Sequence, residues 1–149
     1  MARFPMPVRA LAVAALAAIS CTAAAQSAPP PNPVHYLTGL EYYEAGGKNW
    51  VRHRYDVANK ALYPAEMFAA APDLPPCGTN TRASRSWVDF FDSRGNRLYG
   101  FCALGDPMAL GTIWFSTEQG TIPPSYVYIV IRDRRTNVTY RSNLAETVG

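Results

Sequence analysis

Two aromatic-rich runs separated by a polar break constrain the fold of this chain more than any other stretch. The runs cover residues 86–92 and 97–104, and the break is Ser93-Arg94-Gly95-Asn96. Gly and Asn accept the positive φ of a tight reversal, and strand-forming residues flank them, so the pattern predicts a β-hairpin. Both faces of the hairpin carry aromatic residues, which predicts a central strand pair and not a solvated edge.

Alternation within the hairpin gives expectations for individual side chains. We expect Trp87, Tyr99 and Phe101 to share a face. Gly100 in mid-strand indicates a bulge, or room for a large neighbour such as Trp87. The same rule applies to residues 50–57, where His53 and Tyr55 fall on an apolar face. A packed neutral imidazole and a catalytic one are the two interpretations of His53.

Further strand patterns surround the hairpin and predict an all-β fold. They are bounded by turns rich in Gly, Pro, Asn and Asp, and they cover residues 35–43, 50–57, 112–116, 126–131 and 138–144. Residues 64–71 break this pattern and predict one short helical segment, with Pro64 near its start. The whole chain therefore predicts an antiparallel immunoglobulin/fibronectin-III-like sandwich of about seven strands and one short helical segment.

The first 25 residues are typical of an export signal. Arg3 and Arg9 precede the apolar run 10–19, which is too short to span a bilayer, and small residues precede Gln26. Residues 18–21 also resemble a lipobox, so lipidation at Cys21 is the alternative to cleavage before Gln26. We expect a signal peptide at 1–25, a Pro-rich leader at 26–33 and a β-sandwich domain at 34–149. No transmembrane segment is expected after cleavage, and the product is expected to be periplasmic or secreted.

Charge limits the kinds of partner that the chain is expected to bind, and the cysteine content indicates the compartment. Two of the 14 basic residues lie in the signal, so the remaining chain nearly balances its 11 acidic residues, which argues against nucleic-acid binding. Cys77 and Cys102 remain as a pair, and in an oxidising compartment an even count predicts one disulfide. A catalytic or metal-binding pair is the alternative, although the spacing is not C-x-x-C.

Four segments carry a resemblance to known proteins: 49–56, 74–78, 86–89 and the final hairpin through 141–143. On these, the chain resembles the fibronectin-III and immunoglobulin-like superfamily. More narrowly, it is similar to small exported proteins of Gram-negative bacteria to which no function is assigned. It departs from antibody domains because its two cysteines are too close in sequence for the inter-sheet pair. The resemblance implies a scaffold and carries over no catalytic residue.

The sequence carries no motif that would indicate an enzyme. A Gly-x-Ser-x-Gly elbow is missing, zinc-ligand spacing is missing, and the Asp residues do not form a calcium loop. We therefore expect no catalytic residue, cofactor or metal. The least favoured alternatives are a small hydrolase and a calcium-dependent module.

Aromatic and basic residues on strands suggest a binding surface. The candidates are Trp50, Arg52, Arg54, Trp87 and Tyr99. Trp and Tyr exposed on a sheet form platforms for partner anchors or sugars, although each could instead cover the core. The expected function is a non-enzymatic domain that binds an unknown protein or cell-envelope component. The alternative is a carbohydrate-binding module that uses Trp50 or Trp87 to hold a cell-envelope glycan.

Overall fold

The computed structural model describes residues 28–77, 83–103 and 105–148. The predicted signal peptide at 1–25, including the lipidation alternative at Cys21, lies outside the described residues. The described part of the leader lies against the domain: Pro33 is buried, and the carbonyl of Pro31 accepts a hydrogen bond from the Tyr63 hydroxyl at 2.6 Å.

Eight strands and three short 3₁₀ helices make up the described ranges. The strands are β1 (His35–Ala45), β2 (Lys48–Val57), β3 (Ser86–Asp92), β4 (Arg97–Ala103), β5 (Ile113–Glu118), β6 (Tyr126–Asp133), β7 (Thr139–Arg141) and β8 (Ala145–Glu146). The 3₁₀ helices are Lys60–Leu62, Ala65–Phe68 and Pro107–Thr112.

The strands form two antiparallel sheets, which confirms the predicted all-β sandwich class. One sheet has the order β1-β2-β5, and the other has the order β4-β3-β6-β7 with β8 also paired to β6. The last predicted strand, 138–144, is too long: only Thr139–Arg141 forms a strand, β7, and the short β8 follows beyond it at Ala145–Glu146. The Asn143 side chain bridges the backbone N–H and C=O of His35, both at 2.8 Å, so the chain bends toward β1 between the two strands.

The predicted hairpin is confirmed as β3 and β4. Gly95 has a φ of 88°, and the Asp92 carboxylate accepts hydrogen bonds from the backbone N–H groups of Arg94 and Asn96. The expectation that both strands are central is wrong for β4. Among the described strands it pairs with β3 alone and forms an edge, at the end of the order β4-β3-β6-β7.

The helical prediction at 64–71 is too long. The helix covers only Ala65–Phe68, and the Ala-rich continuation is extended. The Ala71 N–H donates to the Ala83 carbonyl at 2.8 Å, and the Arg85 N–H donates to the Ala69 carbonyl at 3.3 Å. Pairing with a distant segment therefore outweighs the local helix propensity of alanine.

The core lies between the sheets and is closed at one end by the helices. Tyr55 and Phe115 of one sheet meet Phe90 of the other, with ring centroids 5.6 and 5.3 Å from Phe90. Met67 and Phe68 of the second helix and Leu110 of the third are also fully buried. Aromatic burial on this scale makes the inner faces the main source of stability.

The predicted disulfide between Cys77 and Cys102 is confirmed, with Cα atoms 5.6 Å apart. It fastens the Pro-rich loop that follows the second helix to β4. Arg134 holds the same loop, because its guanidinium donates to the carbonyls of Pro75 and Ser84 at 2.6 and 2.8 Å.

Candidate binding surfaces

The five predicted binding residues lie on three different parts of the sandwich. Trp50, Arg52 and Arg54 project from the outer face of β2. Trp87 lies on the outer face of the opposite sheet, and Tyr99 lies at the β4 edge between the two sheets. The structure therefore does not gather the five residues into one site.

Trp87 and Tyr99 do not share a face, and that expectation is wrong. The register pairs Trp87 with Cys102 and pairs the buried Phe90 with Tyr99. Residue Leu98 is a bulge in β4, since Phe90 pairs with Tyr99 and Phe91 with Arg97. Directly paired residues point to the same face, so Tyr99 lies on the core side of the sheet and Trp87 on the outside.

Arg52 is held between two aromatic rings on the outer face of β2. Its guanidinium carbon lies 4.6 Å from the Tyr43 ring centroid and 4.3 Å from that of Trp114. Glu41 lies 3.2 Å from Arg52 and 3.7 Å from Arg54, so one carboxylate serves two cations. Stacking and ion pairing together restrict the orientation of Arg52 and of the Trp114 ring beneath it.

Trp50 is half-buried next to this group, and its polar atom is already used. Its indole N–H donates to the Ala45 carbonyl at 3.1 Å, across the β1–β2 turn. Opposite it on β5 stands Glu118, which pairs with Lys48 at 2.9 Å. Trp50 therefore covers the turn and has only a ring face left for a ligand.

Trp87 forms a small network on the outer face of the five-stranded sheet. Its indole N–H donates to Asp89 Oδ1 at 2.8 Å, and the Arg97 Nε donates to the same oxygen at 2.7 Å. A Cβ on Gly100 would overlap the side chains of both Asp89 and Arg97. The predicted room beside Gly100 is confirmed, and it accommodates this network as well as Trp87.

Trp114 is a candidate that sequence reasoning missed. Its ring stacks on Tyr99 at 5.9 Å with an interplanar angle of 17°, and Tyr99 also stacks on Phe101 at 6.0 Å. These three residues line a cleft of about 250 Å³ between β4, β5 and the third helix. Alternation with Ile113 and Phe115 could have assigned Trp114 to the non-core face, but its stacking with Tyr99 depends on the two sheets meeting.

His53 is a packed core histidine, as one of its two interpretations held. Its Nδ1 lies 2.7 Å from the Thr147 carbonyl, its Nε2 lies 3.0 Å from the Thr117 hydroxyl, and its ring stacks on Phe115 at 4.8 Å. Burial lowers the pKa of His53, and the hydrogen bond to Thr147 only partly opposes this. No carboxylate is among the hydrogen-bond partners of its ring in the described residues.

His35 is the second buried histidine and has a different environment. Its ring stacks on Tyr55 at 4.4 Å, and within the described residues neither ring nitrogen has a hydrogen-bond partner. Burial lowers its pKa to about 4. The imidazole is therefore neutral near pH 7 and acts as a core ring.

No group of three or more His, Cys, Asp or Glu side chains placed to hold a metal occurs in the described ranges. Nor do those ranges include a helix with the length and apolar character needed to cross a membrane. Comparisons with protein-family models, with curated proteins and with solved structures found no match.

Proposed function

We propose that this chain is a non-enzymatic binding domain that holds a protein partner in the cleft between β4 and β5. We place it in the periplasm or outside the cell, as an immunoglobulin-like exported protein of a Gram-negative bacterium. The disulfide supports an extracytoplasmic location, since such bonds persist in oxidising compartments.

The aromatic lining of the cleft is the observation on which this proposal depends. Tyr99 is 40% exposed and stacks on the half-buried Trp114, with Phe101 behind it. Trp and Tyr in partly desolvated pockets dominate the energetics of protein interfaces. These side chains have few rotatable bonds, so little conformational entropy is lost when they bind. The cleft therefore offers a large apolar contact at low entropic cost.

The cleft is held rigid on both sides. Arg52 lies over the Trp114 ring, and the disulfide at Cys102 fastens the end of β4 to the loop below. A site whose side chains are already ordered binds more tightly than one that must order them on binding. This arrangement favours a role in binding over a role in packing alone.

Both strands that border the cleft are edges of their sheets. In the described residues, β4 pairs only with β3 and β5 pairs only with β2. Each edge presents backbone N–H and C=O groups without a strand partner, which an extended peptide can pair with. A partner segment in extended conformation would use these groups while its side chains contact the three rings.

A photocrosslinking experiment tests the site directly. A photoreactive phenylalanine replaces Tyr99 in one variant and Tyr42, which is 65% exposed on β1, in the other. After irradiation of living cells, we expect one discrete protein adduct from position 99 and none from position 42. The same adduct from both positions, or none from position 99, would overturn the proposal.

A truncation variant tests the energetics of the same contact. Trp114→Ala is expected to weaken binding of the crosslinked partner at least tenfold, because truncation of a hot-spot aromatic costs about 2 kcal/mol or more. Trp50→Ala is the matched control on the same sheet and is expected to change affinity less than twofold. Thermal melts of both variants show whether the fold is retained.

A further inference from the structure

The outer face of the five-stranded sheet carries a row of arginines that the proposed cleft does not use. The register places Arg132 opposite Trp87 and places Arg141 opposite Val130, so these side chains share the face with Trp87. Arg97 joins them from β4, opposite Phe91. The row therefore crosses β4, β3, β6 and β7, a width of about 14 Å at the usual strand spacing.

Two members of this row have no neutralising partner in the described part of the chain. Arg97 pairs with Asp89 at 2.7 Å, whereas the exposed Arg132 and Arg141 form no ion pair with any described residue. They are diagonal neighbours across β6 and β7, at roughly 7 Å between side-chain origins. Both side chains therefore add positive charge to one face, and no described carboxylate forms an ion pair with either, which favours an anionic ligand there.

The other carboxylate on this face is too far away to neutralise the pair. Glu146 stands opposite Tyr126 at the far end of β6. Four residues of strand separate Tyr126 from the position of Arg141, which is about 13 Å at the usual rise. That exceeds the Debye length of about 8 Å at physiological ionic strength.

Aromatic rings hold the guanidinium groups of Arg141 and Arg97 in place. The Arg141 guanidinium lies 4.0 Å above the Tyr128 ring centroid, and Tyr128 in turn stacks on Phe91 at 5.3 Å. Arg97 lies 5.9 Å from the Trp87 ring centroid. A guanidinium stacked on a ring keeps its N–H edge available for a carboxylate, and Arg suits bidentate carboxylate recognition better than Lys does.

The exposed chemistry of this face differs from that of a protein-binding patch. Tyr128 is only 8% exposed beneath Arg141, and the Trp87 indole N–H is bonded to Asp89. The exposed Tyr126 lies at the far end of β6, away from Arg132, whereas guanidinium donors and the Thr139 hydroxyl lie on the surface around Trp87. The part of the face around the arginines therefore lacks the apolar centre that protein interfaces require. A ligand with repeated carboxylates and hydroxyl groups matches these donors.

We propose that the outer face of β3, β6 and β7 binds an acidic polysaccharide, with Arg132 and Arg141 holding its carboxylates and the Trp87 face beside them. This site is separate from the cleft, so one domain would hold a protein partner on one side and an anionic glycan on the other. The carbohydrate-binding alternative from the sequence relied on Trp50 or Trp87, whereas this proposal relies mainly on Arg132 and Arg141.

Polygalacturonate is a suitable probe, and its fully methyl-esterified form is a matched control that lacks the charges. We expect the acid form to bind in isothermal titration calorimetry at low salt and binding to fall steeply by 0.5 M NaCl. Arg132→Gln with Arg141→Gln is expected to weaken binding at least tenfold, since hydrogen bonds to charged groups are lost. Arg54→Gln is the control: it removes a guanidinium charge from the other sheet and is expected to leave binding unchanged.

Several results would overturn this assignment. Equal binding of the esterified polymer, or an equal loss in Arg54→Gln, would exclude specific recognition by the arginine row. Tighter binding of anionic lipid vesicles or of polyglutamate than of polygalacturonate would assign the face to a membrane or an acidic protein. Tyr99→Ala separates the two proposals, because it is expected to abolish partner binding and leave polygalacturonate binding intact.

Discussion

His35 is a side chain whose protonation the folded chain opposes. It is 1% exposed, lies against Tyr55 and Phe90, and has no hydrogen-bond partner for its ring among the described residues. A neutral imidazole is tolerated there, whereas a charged one would be an unpaired cation in the core. The titration of this one residue therefore contributes to the stability of the whole domain.

His35 predicts a specific dependence of stability on pH. Its pKa is about 4 in the folded chain against 6.5 for a solvent-exposed histidine, so the unfolded chain binds the proton first as the pH falls. Stability is therefore lost between about pH 6.5 and 4, by at most ~3 kcal/mol. Urea unfolding at pH 7 and pH 4.5 measures the loss, and His35→Leu is expected to reduce it by about 2 kcal/mol. An identical loss in the variant and the parent would contradict this.

Gly100 permits the Trp87–Asp89–Arg97 network, and a side chain there would displace it. A Cβ at Gly100 meets Asp89 and Arg97, whereas one at Gly39 in β1 meets nothing within 4 Å. We expect Gly100→Ala to destabilise the domain by about 1–3 kcal/mol, the usual cost of overpacking. Gly39→Ala is the control and is expected to change stability by less than about 0.5 kcal/mol. Equal urea midpoints for the two variants would show that the network can rearrange without loss of stability, which would contradict this prediction.

Among the strands, β4 is held in position by the disulfide that joins it to the loop after the second helix. It is an edge strand with a bulge at Leu98, and beyond its hydrogen bonds to β3 the disulfide at Cys102 ties it to the chain. The bulge leaves Leu98 without a partner residue on β3 and bends the strand there. The same edge borders the aromatic cleft, so its position determines whether Tyr99 can reach Trp114.

Removal of the disulfide is expected to loosen this edge. Cys77→Ala combined with Cys102→Ala opens a loop with a sequence separation of 25, which corresponds to about 2–4 kcal/mol in the chain-entropy treatment. Urea unfolding of the variant should match that of the parent chain treated with a reductant. Two titratable thiols in the untreated parent, or an unchanged urea midpoint in the variant, would be inconsistent with this role.

Sequence patterns identified the elements well where local chemistry dominates. The β3–β4 turn followed from the break that contains Gly95 and Asn96, and Gly95 has the positive φ of 88° that such a turn requires. Local chemistry was insufficient at 69–71, because the partner segment at 83–85 lies outside any local window. It also could not show that β4 is an edge, since strand order depends on the arrival of β6 beside β3.

For the whole molecule, the C-terminal segment joins the two sheets. β8 pairs with β6 in one sheet, while the carbonyls of Glu146 and Thr147 hydrogen-bond the side chains of Tyr55 and His53 in the other. Thr147 is fully buried and its hydroxyl donates to the Pro124 carbonyl. The segment thus supplies a hydrogen-bond acceptor to the buried Tyr55 hydroxyl and an oxygen partner to Nδ1 of the buried His53.

Deletion of residues 145–149 is expected to destabilise the domain by roughly 3 kcal/mol or more. Two buried side chains lose their hydrogen-bond partners, at about 1–3 kcal/mol each, and the apolar cover of Ala145 is lost as well. Deletion of residues 148–149 alone is the control and should change the melting temperature little, because Val148 is half exposed. If both deletions give the same melting temperature, the segment does not close the sandwich.

The sequence by itself determined the all-β class, the hairpin turns, the cysteine pair and the inward face of β2. Each follows from residues close together in the chain, where period-two alternation and turn chemistry act. Only the tertiary structure decided that Tyr99 meets Trp114, that Trp87 lies on the opposite side, and that Arg132 and Arg141 share the face of Trp87. Those relations depend on the pairing register, including the bulge at Leu98, and on how the two sheets pack, and alternation within one strand specifies neither.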